Sequence, residues 1–266
     1  MNIKLGCPPA LAAYLKSMKA LPSGNAYLPL AGEDNKPNSK SAPYKVGAFA
    51  IGSTPVTIDI WSEYRLDGGP VLQTPDWGWK PGHPVVGVSY TMIMGKSGDA
   101  GFCDWVYDVS GQRVTVPTIL QYRYAANAGL NRKFPWGNDF DYSKLWCSRK
   151  ESDARMTAPV KRNYRTYQNR FGLTDMVGNA YCWLRDSPSF NADLHWIFGG
   201  SWRNCKPETF RTDGLEEHQV IPGATYGFRI CIDGPGLSPE YLDDVIKSLN
   251  RDLPRTPGKP SGKQRS

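Results

Sequence analysis

The chain has 266 residues, 40% of them apolar, and at about 150 residues per domain this length allows one or two domains with a sizeable core. The formal net charge of +7 is typical of a soluble basic protein. The more specific alternative is that the charge serves to bind an acidic partner. No apolar run near residue 1 is long enough for a signal peptide or a membrane span. This favours a cytoplasmic protein with free thiols, and a phage-particle component made in a cytoplasm would carry the same pattern.

Residues 1–45 contain one helical pattern followed by a polar stretch, and together they predict an N-terminal arm. From residue 46 apolar residues alternate, first over 46–50 and again over 56–60, and the alternation predicts strands in both places. No Ser/Gly-rich linker interrupts the chain from there to residue 233, so we expect one domain over 46–233. The helical pattern of the arm consists of Leu11, Tyr14, Leu15 and Met18.

Two helices are predicted inside this domain. Apolar residues at helical spacing indicate the first over 97–108. The second begins at a capping box, in which the Thr118 side chain caps the backbone and Gln121 reaches back. We expect this helix to run to about Ala126.

The chain beyond the domain divides into a helix and a tail. Ser238 and Pro239 are typical of a helix start, and the apolar face that follows predicts an appended helix over 234–253. This helix offers a docking or homo-oligomer contact. Residues 254–266 are rich in Pro, Gly, Lys and Arg, which predicts a basic disordered tail.

The stretch 170–233 alternates glycine turns with aromatic and β-branched runs. Glycine allows the backbone to turn sharply, and the apolar runs between the turns favour strands. We therefore predict a β-meander with tight corners and a polar loop between Trp202 and Tyr226. The turns contain Gly172, Gly178 and the pair Gly199-Gly200.

Several segments, in the same order along the chain, resemble the formylglycine-generating enzyme and sulfatase-modifying-factor family. They are Thr54–Thr57, Pro84–Ser89, Pro117–Thr118, Tyr124–Ala126, Phe134–Gly137, Arg170–Trp183, Gly199–Trp202 and Gly227–Arg229. The resemblance implies an α+β fold: a loop-rich, C-type-lectin-like domain of the formylglycine-generating-enzyme type with short N- and C-terminal extensions.

The resemblance also implies where copper-binding cysteines would lie if the chain had them. Enzymes of this family oxidise a substrate cysteine with copper held by two cysteines that follow the Gly-Gly-Ser turn, since soft sulfur ligands suit Cu(I). Here Cys205 lies one residue later than the first family cysteine, and Glu208–Phe210 offer no second one. We therefore expect no catalytic residue of this kind and no bound cofactor.

Other metal sites have equally little support in the sequence. The six cysteines form no CxxC pair, and Cys103, Cys182 and Cys231 are predicted to be small buried hydrophobic residues. A related branch of the fold holds iron through three histidines, but here the histidines are scattered. At the calcium sites implied by the resemblance, Cys182 replaces a glutamate and Lys144 replaces an asparagine, so only weak calcium binding through the Asp175 turn remains open. The histidines are His83, His195 and His218.

The segment 202–226 is predicted to be a binding surface. Large amphipathic side chains suit a binding patch, and in the resembling family the segment forms the floor of the active site. Certain lectin-fold proteins of that family, diversified by retroelements for receptor binding or display, carry their variable segment here. The hypothesis that 202–226 is an ordinary solvated loop has equal weight. In a separate loop, Trp77 and Trp79 are expected to be exposed or to plug a surface cleft. The candidate binding residues are Trp202, Arg203, Asn204, Lys206, Glu208, Phe210, Arg211, Asp213, His218 and Tyr226.

The sequence leaves three functional hypotheses. The first is a non-catalytic protein that binds a ligand, another protein or a surface through residues 202–226. The second is a metal-dependent oxidoreductase with a divergent site around Cys205 and His218. The third is a nucleic-acid accessory protein held by its basic tail, whose binding would weaken steeply with salt.

Overall fold

The structure of the protein is a computed structural model that describes residues 3–29, 41–96, 98–149, 156–161, 168–187, 194–212, 216–219 and 223–234. The predicted appended helix and basic tail lie outside these described residues. The helices are α1 (Pro9–Ser17), α2 (Ile58–Leu66), α3 (Tyr90–Met94), α4 (Phe102–Ser110) and α5 (Ile119–Asn127). The strands are β1 (Lys19–Leu21), β2 (Gly24–Pro29), β3 (Ser41–Val46), β4 (Phe49–Ile51), β5 (Tyr181–Trp183), β6 (Leu194–Phe198), β7 (Glu216–Gln219), β8 (Tyr226–Gly227) and β9 (Cys231–Asp233).

A four-stranded sheet in the order β7-β6-β5-β8 forms the centre of the domain. Strands β5, β6 and β7 are antiparallel, as the predicted meander requires, whereas β8 runs parallel to β5. The prediction of an uninterrupted loop between Trp202 and Tyr226 is wrong, because β7 pairs with β6 within that segment. β7 is an outer strand of this sheet among the described residues, and its polar sequence is typical of edge strands.

The central sheet separates two hydrophobic cores, because successive side chains of a strand point to opposite faces. One core includes α5, and the other includes α1, α2 and α4. Cys182, Trp196 and Phe198 face the first core, and Tyr181, Trp183 and Ile197 face the second.

The N-terminal segment is part of the same domain. Strand β4 pairs with β1 on one side and with β9 on the other, so the two ends of the domain meet in one sheet. The predicted helical pattern is confirmed in α1, which buries Leu11 and Leu15 completely or nearly so. The boundary that was predicted after residue 45 falls inside β3, which forms a hairpin with β2.

The strand predicted over 56–60 is wrong, because helix α2 begins at Ile58. The buried positions Ile58, Trp61 and Tyr64 recur every three residues, which is a helical repeat that alternation up to residue 60 does not reveal. Trp61 then stacks on Phe102 of α4 with ring centroids 5.7 Å apart. Aromatic packing against the second core thus favours helix in this segment.

The two helices predicted inside the domain are both present. The first was expected over 97–108 and spans Phe102–Ser110 as α4. The capping box of α5 is confirmed, since Thr118 Oγ1 accepts a hydrogen bond from the Gln121 backbone at 3.2 Å and Gln121 Oε1 accepts one from the Thr118 backbone at 2.8 Å. None of the helices in the described part of the chain is long and apolar enough to cross a bilayer.

Buried polar groups hold the loops of the domain together. The Arg229 side chain is 1% exposed and donates to the backbone oxygens of Gly52 at 2.7 Å, Thr174 and Asp175. A planar guanidinium can satisfy several carbonyls at once, which explains why one arginine can join these loops. The predicted burial of Cys103, Cys182 and Cys231 is confirmed, and all six cysteines are free thiols.

Candidate binding cleft

A sharp turn at Gly199 and Gly200 follows β6, with φ of +94° and +68°. A Cβ atom on Gly199 would lie 2.9 Å from the Met176 carbonyl oxygen, and one on Gly200 would lie 2.7 Å from the Phe210 ring. Both positions therefore require glycine, for space as well as for conformation. The turn places Trp202 against the loops that precede α3.

The backbone of Trp202 is held on both sides. Its N–H donates to the Asn179 carbonyl at 3.0 Å, and its carbonyl accepts from Ser148 Oγ at 3.0 Å. The next residues are fixed as well, since Asn204 Oδ1 accepts from the backbone N–H of Ser201 at 2.8 Å and from its hydroxyl at 2.7 Å. The backbone that carries the Trp202 ring is therefore held by hydrogen bonds to the surrounding frame.

The Trp202 ring meets the Trp77 ring edge to face, with centroids 5.0 Å apart and an interplanar angle of 78°. Together they line a cleft of about 220 Å³, which we call the tryptophan cleft. Its walls come from residues 73–77, 86–87, 202–203 and 223–224. Aromatic walls with a few polar groups are typical of a ligand-binding site, and a cleft of this size suits one side chain or small group of a partner.

One residue that lines the tryptophan cleft, Trp202, carries a buried polar group without a hydrogen-bond partner in the described part of the chain. The Trp202 side chain is 7% exposed, and its indole Nε1 is buried without a hydrogen bond in the described part of the chain. An unsatisfied buried donor costs free energy, so an acceptor atom of a ligand would gain by pairing with it. Asp76 and Arg203, both exposed, add one carboxylate and one guanidinium to the lining.

The predicted binding residues fall into different places. Trp202 and Arg203 line the tryptophan cleft, and Asn204 braces the turn beneath them. Lys206 and Glu208 are exposed but do not line this cleft.

Two further predicted residues are buried, so they do not form the expected surface. Phe210 is fully buried in the first core, where it stacks on Phe140 with centroids 5.9 Å apart. Arg211 is 7% exposed. Tyr226 is half-buried against Tyr181 and Trp183, at centroid distances of 5.9 and 5.3 Å.

Asp213 lies outside the described residues, and His218 lies on β7. Of the ten predicted residues, the structure therefore brings two to the tryptophan cleft. Sequence reasoning did not include residues 73–77 in the site. The available signal was Trp77 itself, a large aromatic residue in a loop rich in proline and glycine.

The structure places a second thiol near Cys205. The backbone N–H of Ser148 donates to the Asn204 carbonyl at 3.1 Å, so Cys147 and Cys205 lie on adjoining segments. Burial, reinforced by the nearby Cys205 thiol, raises the pKa of Cys147 to about 11. No sequence spacing could reveal this neighbour, because the two cysteines come from distant parts of the chain.

Two of the three scattered histidines occupy paired positions on neighbouring strands. In the register of β6 and β7, His195 is paired with His218. The His195 ring stacks on Tyr90 with centroids 3.4 Å apart, and burial lowers its pKa to about 4. His83 is buried, and its Nδ1 lies 3.0 Å from the Thr157 hydroxyl. Among the described residues, no three His, Cys, Asp or Glu side chains are grouped to hold a metal ion.

In the turn where weak calcium binding was left open, the polar side chains form hydrogen bonds within the protein. Asp175 Oδ2 accepts from Asn179 Nδ2 at 2.8 Å, and the same amide group pairs with both backbone groups of Ala158. Cys182 is buried, and burial raises the pKa of its thiol to about 12. A neutral thiol replaces a carboxylate ligand poorly for a hard cation such as calcium.

The family model described as "Sulfatase-modifying factor enzyme 1-like domain" matches residues 8–234. The chain belongs to this family. The resemblance seen in the motifs is thus confirmed, and the match begins well before residue 46. It includes α1 and the first strands, in agreement with their place in the fold.

Two curated relatives come from Bos taurus. Formylglycine-generating enzyme is 33% identical over 153 residues, which cover 52% of this chain and 35% of the relative. Inactive C-alpha-formylglycine-generating enzyme 2 is 32% identical over 181 residues, which cover 60% of this chain and 53% of the relative. The chain therefore spans only about a third to a half of the length of these relatives.

Two solved structures share the fold. PvdO from Pseudomonas aeruginosa aligns with a TM-score of 0.65 and 23% identity, over 80% of this chain and 93% of that one. Treponema denticola variable protein 1 aligns with a TM-score of 0.57 and 18% identity, over 82% of this chain and 95% of that one. These similarities confirm the predicted α+β, C-type-lectin-like fold of the formylglycine-generating-enzyme type.

Proposed function

We propose that this protein is a non-catalytic binding protein of the sulfatase-modifying-factor family, and that its ligand or protein partner binds in the tryptophan cleft. The observation that carries the proposal is the buried Trp202 Nε1, an indole donor without a partner in the described part of the chain, on a residue that lines an aromatic cleft. A partner that inserts an acceptor atom between Trp77 and Trp202 would satisfy this donor and bury both rings.

The same segment lacks the groups that copper oxidation needs in this family. Asn204 occupies the expected position of the first cysteine, and its side-chain oxygen is already bonded twice by Ser201. Near the expected second position, Phe210 fills the core. This frame therefore favours a fixed recognition surface over a thiolate pair.

The named relatives agree with a binding function. One is called inactive, so the family includes a member whose name excludes the activity. A protein named variable protein 1 shares the fold. This supports the more specific proposal that the present chain uses the fold for receptor binding or display.

The proposal is tested with two matched pairs of variants. Trp77→Ala and Arg203→Ala change the lining of the tryptophan cleft, whereas Trp79→Ala and Lys206→Ala change similar residues that do not line it. We expect a partner captured by the wild-type chain to lose affinity for the first two variants and to keep it for the last two. Equal binding to all four would refute the assignment of the cleft.

A second candidate function is the metal-dependent oxidoreductase, and it is favoured by the proximity of Cys147 to Cys205. The raised pKa of Cys147 means that a metal must displace its proton, so metal affinity should increase with pH. Elemental analysis after addition of Cu(I) tests this candidate. Stoichiometric copper that is lost in both Cys147→Ser and Cys205→Ser, together with turnover of a thiol substrate, would favour the oxidoreductase over the binding protein.

A further inference from the structure

A second cavity, of about 210 Å³, lies apart from the tryptophan cleft and shares no lining residue with it. It opens between the loop at 132–136, the 3₁₀ turn Tyr142–Lys144 and the segment 168–177. Sites for drug-sized ligands usually measure about 300–1,000 Å³. This cavity therefore suits one ionic group with a short apolar part.

Three basic side chains line this cavity: Arg132, Lys144 and Arg170. Its one acidic lining residue, Asp175, is buried and uses its carboxylate to accept a hydrogen bond from Asn179 at 2.8 Å. The lining thus carries an excess of positive charge. Such an arrangement attracts an anion and repels a cation.

Within the described part of the chain, these basic groups form few bonds to the protein. Arg132 Nη1 donates to the Pro135 carbonyl at 3.2 Å. The side chains of Lys144 and Arg170 form no hydrogen bond or ion pair within the described part of the chain. Burial lowers the pKa of Arg132, and the like charge of the nearby Arg170 lowers it further. A bound anion would offset the like charges of the two arginines.

An apolar wall completes the cavity. Trp136 lines it and stacks on Phe134 with centroids 5.6 Å apart and an interplanar angle of 8°. Leu173, Met176 and Val177 add aliphatic surface. The combination of cations and an apolar wall is more specific than a basic surface patch.

We propose that this cavity binds a small anionic ligand through its phosphate or carboxylate group, with Arg132, Arg170 and Lys144 as the cationic contacts. Arginine presents a planar set of donors that fits both oxyanions. The apolar wall at Trp136 receives the adjoining carbon atoms of the ligand. This site is independent of the proposed binding partner, because it uses other residues.

Calorimetry of the full chain at low ionic strength tests the proposal, with inorganic phosphate and citrate as separate probes. We expect one anion per chain and a loss of affinity of about tenfold or more in both Arg170→Gln and Arg132→Gln. Arg65→Gln removes an exposed arginine of α2 and should bind like the wild type. The tighter of the two probes identifies the oxyanion.

Three outcomes decide the matter. Saturable binding that is weakened by the cavity variants and unaffected by Arg65→Gln and by Trp202→Ala supports the proposal and separates it from the tryptophan cleft. No binding of either probe overturns it, and so does equal weakening by Arg65→Gln, which would indicate general attraction to a basic protein. If the Arg132→Gln variant does not fold, the Arg170→Gln variant still tests the proposal, because Arg170 is exposed.

Discussion

Trp77 and Trp202 belong to separate loops, yet their rings meet edge to face with centroids 5.0 Å apart. On one side of this contact, the Gly199-Gly200 turn and the hydrogen bonds to Asn179 and Ser148 hold the backbone of Trp202 in place. A cleft whose wall is fixed in this way is preorganised, and a partner that enters it loses less conformational entropy on binding.

Arg229→Lys should reduce the free energy of unfolding by about 3 kcal/mol. A lysine can reach one of the three carbonyls that Arg229 contacts, and the others remain buried without a donor. Urea unfolding of the variant, beside Arg65→Lys as an exposed control, measures the loss. A cost equal to that of the control would show that the buried guanidinium does not join the loops.

Asp233→Asn should destabilise the protein by about 1 kcal/mol at pH 7 and by less as the pH falls. The Asp233 carboxylate is partly buried, which opposes ionisation, but hydrogen bonds from Arg185 at 2.8 and 3.0 Å and from Gln121 lower its pKa below the ordinary value. Because the folded pKa is the lower one, the stabilisation is present above pH 3.8 and is lost as the pH falls through the folded pKa.

Thermal unfolding of Asp233→Asn and wild type between pH 7 and pH 2.5 checks this prediction. Asp99→Asn removes an exposed carboxylate and serves as the control. A difference between wild type and Asp233→Asn that stays constant with pH would contradict the assigned ion pair.

His195→Phe should make the protein less sensitive to acid. Burial lowers the pKa of His195 from 6.5 to about 4, so the unfolded chain takes up a proton first and stability falls as the pH drops from 6.5 to about 4. Phenylalanine can retain the stack on Tyr90 but cannot titrate. Between pH 7 and pH 4 the wild type should lose about 2 kcal/mol more than the variant, as measured by urea unfolding. If wild type and variant lose the same free energy of unfolding over this pH range, His195 is not the group that titrates.

The sequence was most informative where local chemistry decides the structure. Thr118 and Gln121 are close in the chain and form their capping box there, and the glycine turns reflect strict backbone requirements. The motif order likewise led to the correct family and fold class.

Sequence reasoning was least informative where tertiary contacts decide the structure. Helix α2 depends on the packing of Trp61 against Phe102, and β7 depends on a partner strand, so neither was found. The tryptophan cleft joins residues 73–77 to 202–203 through the fold alone. For the same reason, no spacing rule could pair Cys147 with Cys205.

The most direct measurement is the affinity of a purified partner, captured with the wild-type chain, for Trp202→Ala and Trp79→Ala by calorimetry. A central aromatic residue of an interface contributes about 2 kcal/mol or more, so Trp202→Ala should weaken binding by about thirtyfold while Trp79→Ala binds like wild type. Circular dichroism establishes that both variants are folded. Unchanged affinity in a folded Trp202→Ala variant would contradict the proposal that this cleft is the binding site.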